Sequence, residues 1–507
     1  MNFDALLQET ETALRAGQRE LARANLLKIK GKALPRSKAR QFATLARRAG
    51  MLDVALQIMR PIVRPKTNLD VAASAEEIAT YGLILLGFGA IQECRAILNL
   101  SDQNNPDILM AQAFSSIKIW DYAKAIVFLE KYISSDSLKG SSSDSPSDYL
   151  KTVAMVNLAA SQIAIGNPAN LERGRHLVKE LLEKTAKEGW ALLESNAREL
   201  ALQVAIQDRD WASCDSFFMK ADEVANGQPA DSQLFTQKWR AISEVLREKE
   251  SVEGLAKLRK VRHHALEQGH WETVRDCDFH EAIATRNSNL ALHVYFGTPF
   301  PTYRKRLRDA TADWLVIPDS YLHHPLPQAT AETRIFQMNS GEERNNKNVT
   351  LPVGKSLHTA LQILVSDFYR PFLIGSLFSE VFRDEYFNPV SSPRRVAFLV
   401  HRLRNWFDEN NVPLDIVSNR DGYRLLATAP YTLELSSQGS SGATSNQSQY
   451  ERLQGFLKRN NVAEFTAREI AVALDTSERS ARYFLKWAVE SNLVTRTGSG
   501  RQIRYKL

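Results

Sequence analysis

The sequence predicts a mainly α chain: an N-terminal array of helical repeats over residues 1–300, then two small C-terminal α+β units. Three observations predict it. Along the first three hundred residues, a turn residue followed five positions later by a small residue keeps recurring. Between Ser392 and Leu426, a basic amphipathic helix runs into a compact basic β-turn. The low-complexity tract Ser436–Gln449 then sets apart a final unit of about sixty residues, as a flexible tether would.

The turn pairs are Gly17/Ala22, Gly50/Ala55, Gly89/Cys94, Trp120/Ala125, Arg209/Cys214 and Gly269/Val274. The first three intervals are 33, 39 and 31 residues. A small residue belongs there because the second helix of each hairpin passes close to the first. Pro61, Pro65 and Pro106 fall where helix pairs should end. The period lies near the roughly 34 residues of tetratricopeptide repeats, and residues 1–300 resemble an α-solenoid of that kind, although many of that family's aromatic and glycine positions are missing. Gly166 to Gly174 reads as a further turn with an insertion, and Ser134–Asp148 as a Ser/Asp-rich loop. Stacks of this kind present a concave surface, so the resemblance implies a protein or peptide partner there, or a homodimer contact. Residues 301–330 read as a connector holding a strand-like segment, Asp313–Pro318.

In the stretch Ser392–Leu426, Val396, Val400, Leu403 and Phe407 recur every three or four residues, which defines one buried helical face. Arg394, Arg395, Arg402 and Arg404 are then left to meet a polyanion, and an Arg-bearing hairpin follows. Over 331–428 the expected order is a strand hairpin (Arg334–Met338 and Asn348–Leu351), a helix with apolar Leu357, Leu361, Ile363 and Leu364, a second helix Ile374–Phe382, a long helix Pro393–Glu409 and a wing. This order resembles the OmpR-type winged helix, whose third helix reads RTVDVHIRRLR or similar where this chain has RRVAFLVHRLR. The resemblance covers about a fifth of the chain. It implies groove-facing roles for Arg402 and Arg404 and a thymine-methyl contact for Phe398. The wing matches through Gly422, Tyr423, Arg424 and Leu425, which implies a phosphate or minor-groove contact at Arg420. This wing is one residue shorter than the family's. No phosphoacceptor receiver precedes it, so the family's activation mechanism does not carry over. Solenoid and winged helix also pair in actinobacterial antibiotic regulatory proteins, but in the opposite order.

The last unit, residues 450–507, reads as a second winged helix-turn-helix. Leu453, Phe456 and Leu457 mark its first helix, and Thr466 with Glu469 forms a capping box that opens the second. In the third, Ser477–Glu490, Ala481, Phe484, Leu485 and Ala488 face inward, leaving Arg479, Arg482, Tyr483 and Lys486 on an outward stripe. A wing closes around Thr497–Gly500, made basic by Arg496, Arg501, Arg504 and Lys506.

Charge agrees with this placement. The whole chain carries +7, and residues 301–507 hold 27 Lys+Arg against 21 Asp+Glu, so +6 of that excess sits with the two small units. Three widely spaced cysteines, an acidic amphipathic start unlike a signal peptide and no apolar run longer than Tyr81–Ile91 predict a cytoplasmic chain that crosses no membrane. His263, His264, His270, Cys277 and His280 invite a zinc reading, and Cys277 and His280 could share a helical face. No second close pair of ligands accompanies them, so the repeat pattern accounts for them. No phosphate-cradling glycine loop or nucleophile–base set is present, and the expectation is no catalysis, no metal and no cofactor. The sequence thus predicts a bacterial transcription regulator that grips double-stranded DNA through two winged helices. The alternative is a non-enzymatic scaffold subunit of the PCI type, with winged helices that dock protein.

Overall fold

The computed structural model describes residues 3–436 except 16–17, 30–33, 66–70, 136–145, 224–229, 249–250, 327–333, 383–384 and 420–421. Beyond 436 it describes 450, 453–454, 457, 464–473, 478–490, 493–498 and 503–506. The chain is mainly helical, with a few small sheets towards its C-terminus. By contacts it divides into two compact units, Met1–Glu434 and Leu435–Leu507.

The helices of the first unit begin with α1 (Phe3–Arg15), α2 (Arg19–Ile29), α3 (Arg36–Arg48), α4 (Leu52–Val63), α5 (Ala75–Gly87) and α6 (Ile91–Leu98). Next come α7 (Pro106–Ile117), α8 (Tyr122–Ser134), α9 (Pro146–Ile165), α10 (Pro168–Lys187), α11 (Ala191–Asp208) and α12 (Trp211–Glu223). The array ends with α13 (Ala230–Arg247), α14 (Val252–Gln268), α15 (Trp271–Thr285), α16 (Ser288–Phe296) and α17 (Pro301–Thr311). Each helix packs on its neighbour in sequence, and several pack also on the next but one, as α3 does on α5 and α13 on α15.

The turns show why. Gly50, Gly89 and Gly269 sit at φ 78°, 78° and 74°, and Trp120 and Arg209 adopt the same left-handed backbone at 60° and 58°. A left-handed residue reverses the chain sharply, so the first turn of the following helix lands on the one just ended. The residue there has to be small, and Ala55, Cys94, Ala125 and Cys214 are completely buried. Arg286, at φ 49° five residues before buried Ala291, belongs to the same series and was not singled out from the sequence. Gly17 lies outside the described residues, as does most of the Ser134–Asp148 loop.

The second half of this unit holds a five-stranded sheet in the order β1-β7-β2-β3-β4. Its strands are β1 (Ser320–His323), β2 (Ile335–Gln337), β3 (Glu342–Glu343), β4 (Asn346–Thr350) and, after a two-stranded hairpin of β5 (Leu414–Asn419) and β6 (Gly422–Ala427), β7 (Thr432–Ser436). β2 runs parallel to β7 and antiparallel to β3. Three helices lie between sheet and hairpin: α18 (Ser356–Leu364), α19 (Ile374–Val381) and α20 (Ser392–Glu409). Two expectations are corrected here. The segment 301–330 is not a bare connector, since it contributes both α17 and the edge strand β1. Asp313–Pro318 forms no strand, and Val316 is 87% exposed. An apolar run makes a strand only where a neighbour completes its hydrogen bonds, and β7 offers that pairing to Ser320–His323 instead.

The second unit contains α21 (Ala467–Ala473), α22 (Glu478–Glu490) and the antiparallel pair β8 (Thr495–Thr497) and β9 (Arg504–Lys506). Leu453, Leu457, Phe465, Ile470, Ala481, Phe484, Leu485 and Ala488 fill its core. Thr466 and Glu469 close the capping box before α21, with Thr466 N–H donating to the Glu469 carboxylate at 2.7 Å and Glu469 N–H to the Thr466 hydroxyl at 3.3 Å.

Candidate nucleic-acid interface

Helix α20 is the centre of the candidate surface. Pro393 stands in its first turn, where a missing N–H costs nothing. Val396, Leu399, Val400, Leu403 and Phe407 are all buried, each contributing roughly 1.5–3 kcal/mol by leaving water. Its C-terminal half is held to the sheet by Trp406, whose indole N–H donates to the Thr350 carbonyl at 3.0 Å. Arg334 donates to the carbonyls of Asn410 and Asn411, satisfying acceptors that the helix end leaves open.

The opposite face is exposed from end to end. Arg394, Phe398 and Arg402 follow one another at four-residue spacing, with Phe398 62% exposed and the Arg402 guanidinium 5.9 Å from the Phe398 ring. Neither Arg394 nor Arg402 is in an ion pair among the described residues. His401 and Asn405 lie exposed on the same face and were not selected from the sequence. Their spacing from Phe398 and Arg402 carried that information.

Two expected contact residues are instead engaged within the chain. Arg395 forms a bidentate pair with Glu385 and lies 4.2 Å over the Phe382 ring, so it clamps the segment between α19 and α20. That hydrogen bonding raises its pKa further above the ordinary guanidinium value. Arg404 donates to the Ile416 carbonyl and sits 3.2 Å from the Asp415 carboxylate, fastening α20 to the hairpin. Arg424, on β6, is exposed as a residue, with its guanidinium 5.9 Å from the Trp271 ring of α15. Arg420 lies outside the described residues.

In the second unit, Arg482 is exposed on α22 and pairs with Glu478 at 2.5 Å, one turn earlier. Lys486 is exposed on the same helix, and Arg496 and Arg504 are exposed on β8 and β9. The side chains of Arg479 and Tyr483, and the whole of Arg501, lie outside the described residues.

A joint that the sequence did not announce binds this surface to the helical array. The segment from Ser366 to Ser376, which leads into α19, is gripped along its length. Asp367, buried, accepts from Arg275 at 2.7 Å and from the backbone N–H groups of Tyr369 and Arg370. The Tyr369 hydroxyl donates to Asp278 at 3.1 Å, and Phe368 N–H donates to the Gly297 carbonyl at 3.1 Å. Phe372 exchanges both backbone hydrogen bonds with Tyr423 of the hairpin, at 2.8 and 2.9 Å. Gly375 N–H and the Ser376 hydroxyl donate to the Phe88 and Gly89 carbonyls, each at 3.0 Å. The signal was present in Gly375, because a Cβ there would stand 2.5 Å from the Phe88 oxygen.

Cys277 is buried in the core of the array, and no group of three or more metal-ligating side chains comes together among the described residues. No described helix is long and apolar enough to cross a membrane. No protein-family model, curated protein or solved structure matches the chain.

Proposed function

We propose that the chain is a bacterial, cytoplasmic transcription regulator that binds double-stranded DNA. In this reading residues 331–428 make a winged helix of the OmpR type, residues 450–507 a second winged helix, and the array a tetratricopeptide-like solenoid that holds a protein or peptide partner or a second copy of the chain. One observation carries it: the exposed Arg394–Phe398–Arg402 stripe on α20 stands beside a two-stranded hairpin, with neither arginine paired to a carboxylate among the described residues. An α-helix fits the major groove of B-DNA, where arginine reads guanine and an apolar side chain meets the thymine methyl. Arg395 and Arg404 then act as positioning residues, one setting the entry to α20 and the other its angle to the hairpin.

Fluorescence anisotropy on random-sequence duplexes tests the proposal. The logarithm of affinity should fall linearly with the logarithm of salt concentration. Arg402→Glu should weaken selected sites by roughly tenfold or more, the scale of one bidentate base contact. If Arg394→Glu and Arg402→Glu together leave binding unchanged at every salt concentration, α20 is not the reading helix. If the intact chain ignores duplex DNA in dilute buffer, the scaffold reading replaces the regulator.

A further inference from the structure

A cavity of about 440 Å³ opens within the helical array, among residues of α9, α11, α13, α15 and α17 and the turn before α8. That volume lies in the range of small-molecule sites, roughly 300–1,000 Å³. Trp120, Tyr122, Trp211 and Trp239 supply aromatic wall, and Ile163, Leu200 and Ile206 supply aliphatic wall. Such a surface suits a flat or apolar body.

The polar end is more telling. Lys238, Arg306 and Arg209 face the cavity with a single carboxylate, Asp276, so two positive charges remain uncompensated. Asp276 is already committed, to Lys238 at 3.4 Å and to the Tyr303 hydroxyl at 3.0 Å. Arg209 and Arg306 form no ion pair among the described residues. Beside Arg306 stands His280, only 7% exposed, with neither ring nitrogen hydrogen-bonded. Buried polar atoms are rarely left so, because each forfeits its hydrogen bonds to water. Burial, reinforced by Arg306, pushes the imidazole down to about 3, so at neutral pH it is uncharged, with one nitrogen to donate and one to accept.

We propose that this cavity is a binding site for a small organic acid with an aromatic body, its acid group taken by Arg306 and His280 and its body by the tryptophans. The site is independent of whether the chain binds DNA. It also touches the joint described above, since Asp276 is one hydroxyl away from Tyr303, whose ring lies beneath Arg275.

The test uses the full chain without DNA. Indole-3-acetate and 2-naphthoate are titrated while tryptophan emission and the thermal midpoint are followed, with tryptamine and 2-naphthylmethylamine as amines of matching shape. The acids should bind saturably and raise the midpoint, and the amines should not. Arg306→Gln should weaken the acids by roughly tenfold or more, the scale of one lost charge-assisted hydrogen bond. His280→Leu removes the unpaired nitrogens, so it should raise the midpoint of the unliganded chain while weakening the acids. That opposite pair of signs separates a ligand group from a purely structural one. Acids that leave both readouts unchanged, amines that bind equally well, or a His280→Leu chain that binds as the parent does would each overturn the proposal.

Discussion

Among the described residues, Arg275 is the largest side chain that the fold encloses completely. Within its helix it stands among Glu272, Asp276 and Asp278, and locally that reads as a solvated charged face. What buries it is Asp367, ninety-two positions away, together with the rings of Phe300, Tyr303 and Tyr369. No periodicity within α15 carries that information, so the residue could not be selected from sequence. Breaking a buried pair strands the surviving charge, and Arg275→Met should cost about 3–5 kcal/mol in urea unfolding. Arg370, also bonded to Asp367 at 2.9 Å, argues for the lower end of that range. A loss below about 1 kcal/mol would show that the pair does not hold the joint. His280 makes a second prediction at this scale. Facing it are Asp276, Lys238 and Arg306, and burial is the main cause of its depressed pKa. Its folded pKa lies below the unfolded value near 6.5, so the unfolded chain takes up the proton first. Stability is therefore full above about pH 6.5 and declines as pH falls towards 3, by about 2 kcal/mol at pH 5 from this group. Between pH 7 and pH 5, His280→Leu should lose less thermal stability than the parent chain. An equal loss would mean that other groups govern the acid response.

Among the elements, those closed by nearby residues were the most legible. Left-handed turns with a small residue five positions on were visible as Gly50/Ala55, Gly89/Cys94 and Gly269/Val274, because steric demand at a tight reversal restricts the residue type. The apolar face of α20 was visible for a similar reason, and Val396, Val400, Leu403 and Phe407 are all buried. The exposed side of that helix was only half legible. Sequence shows which arginines lie off the buried face, but not that Glu385 and Ile416 take two of them. The docking of α19 on the turn between α5 and α6 was only faintly marked, by Gly375, whose need for a missing side chain shows once Phe88 is placed against it. Gly375→Ala tests that contact. Its methyl cannot share space with the Phe88 oxygen, so amides at 88–90 and 372–376 should exchange with deuterium faster than in the parent chain, while those of α9 and α10 stay as they were. Unchanged protection at 88–90 would mean that the contact is dispensable.

At the level of the whole molecule, the chain separates at Glu434/Leu435. Removing residues 437–507 should leave the far-ultraviolet signal per residue and the main unfolding transition of Met1–Glu434 intact. On the proposed function, the same truncation should weaken DNA binding by removing a second tethered reader, yet keep the footprint of the first. Affinity equal to that of the full chain would show that the tail is not a DNA contact. The charge asymmetry along the chain was readable from composition, and so was the small terminal unit. The absence of any comparable division near residue 300 was not, because it depends on contacts such as Arg275 to Asp367 and Gly375 to Phe88 that join distant stretches. On the proposed function the chain is a modular regulator, a kind commonly rebuilt by grafting one output module onto another sensor, and it should resist that exchange. A fragment beginning at residue 331 would lack strand β1, leave Asp367 without Arg275, and lay bare Leu373 and Phe387 to water. Whatever evolutionary route produced it, the helical array and the sheet-and-hairpin region that follows it have to be inherited together.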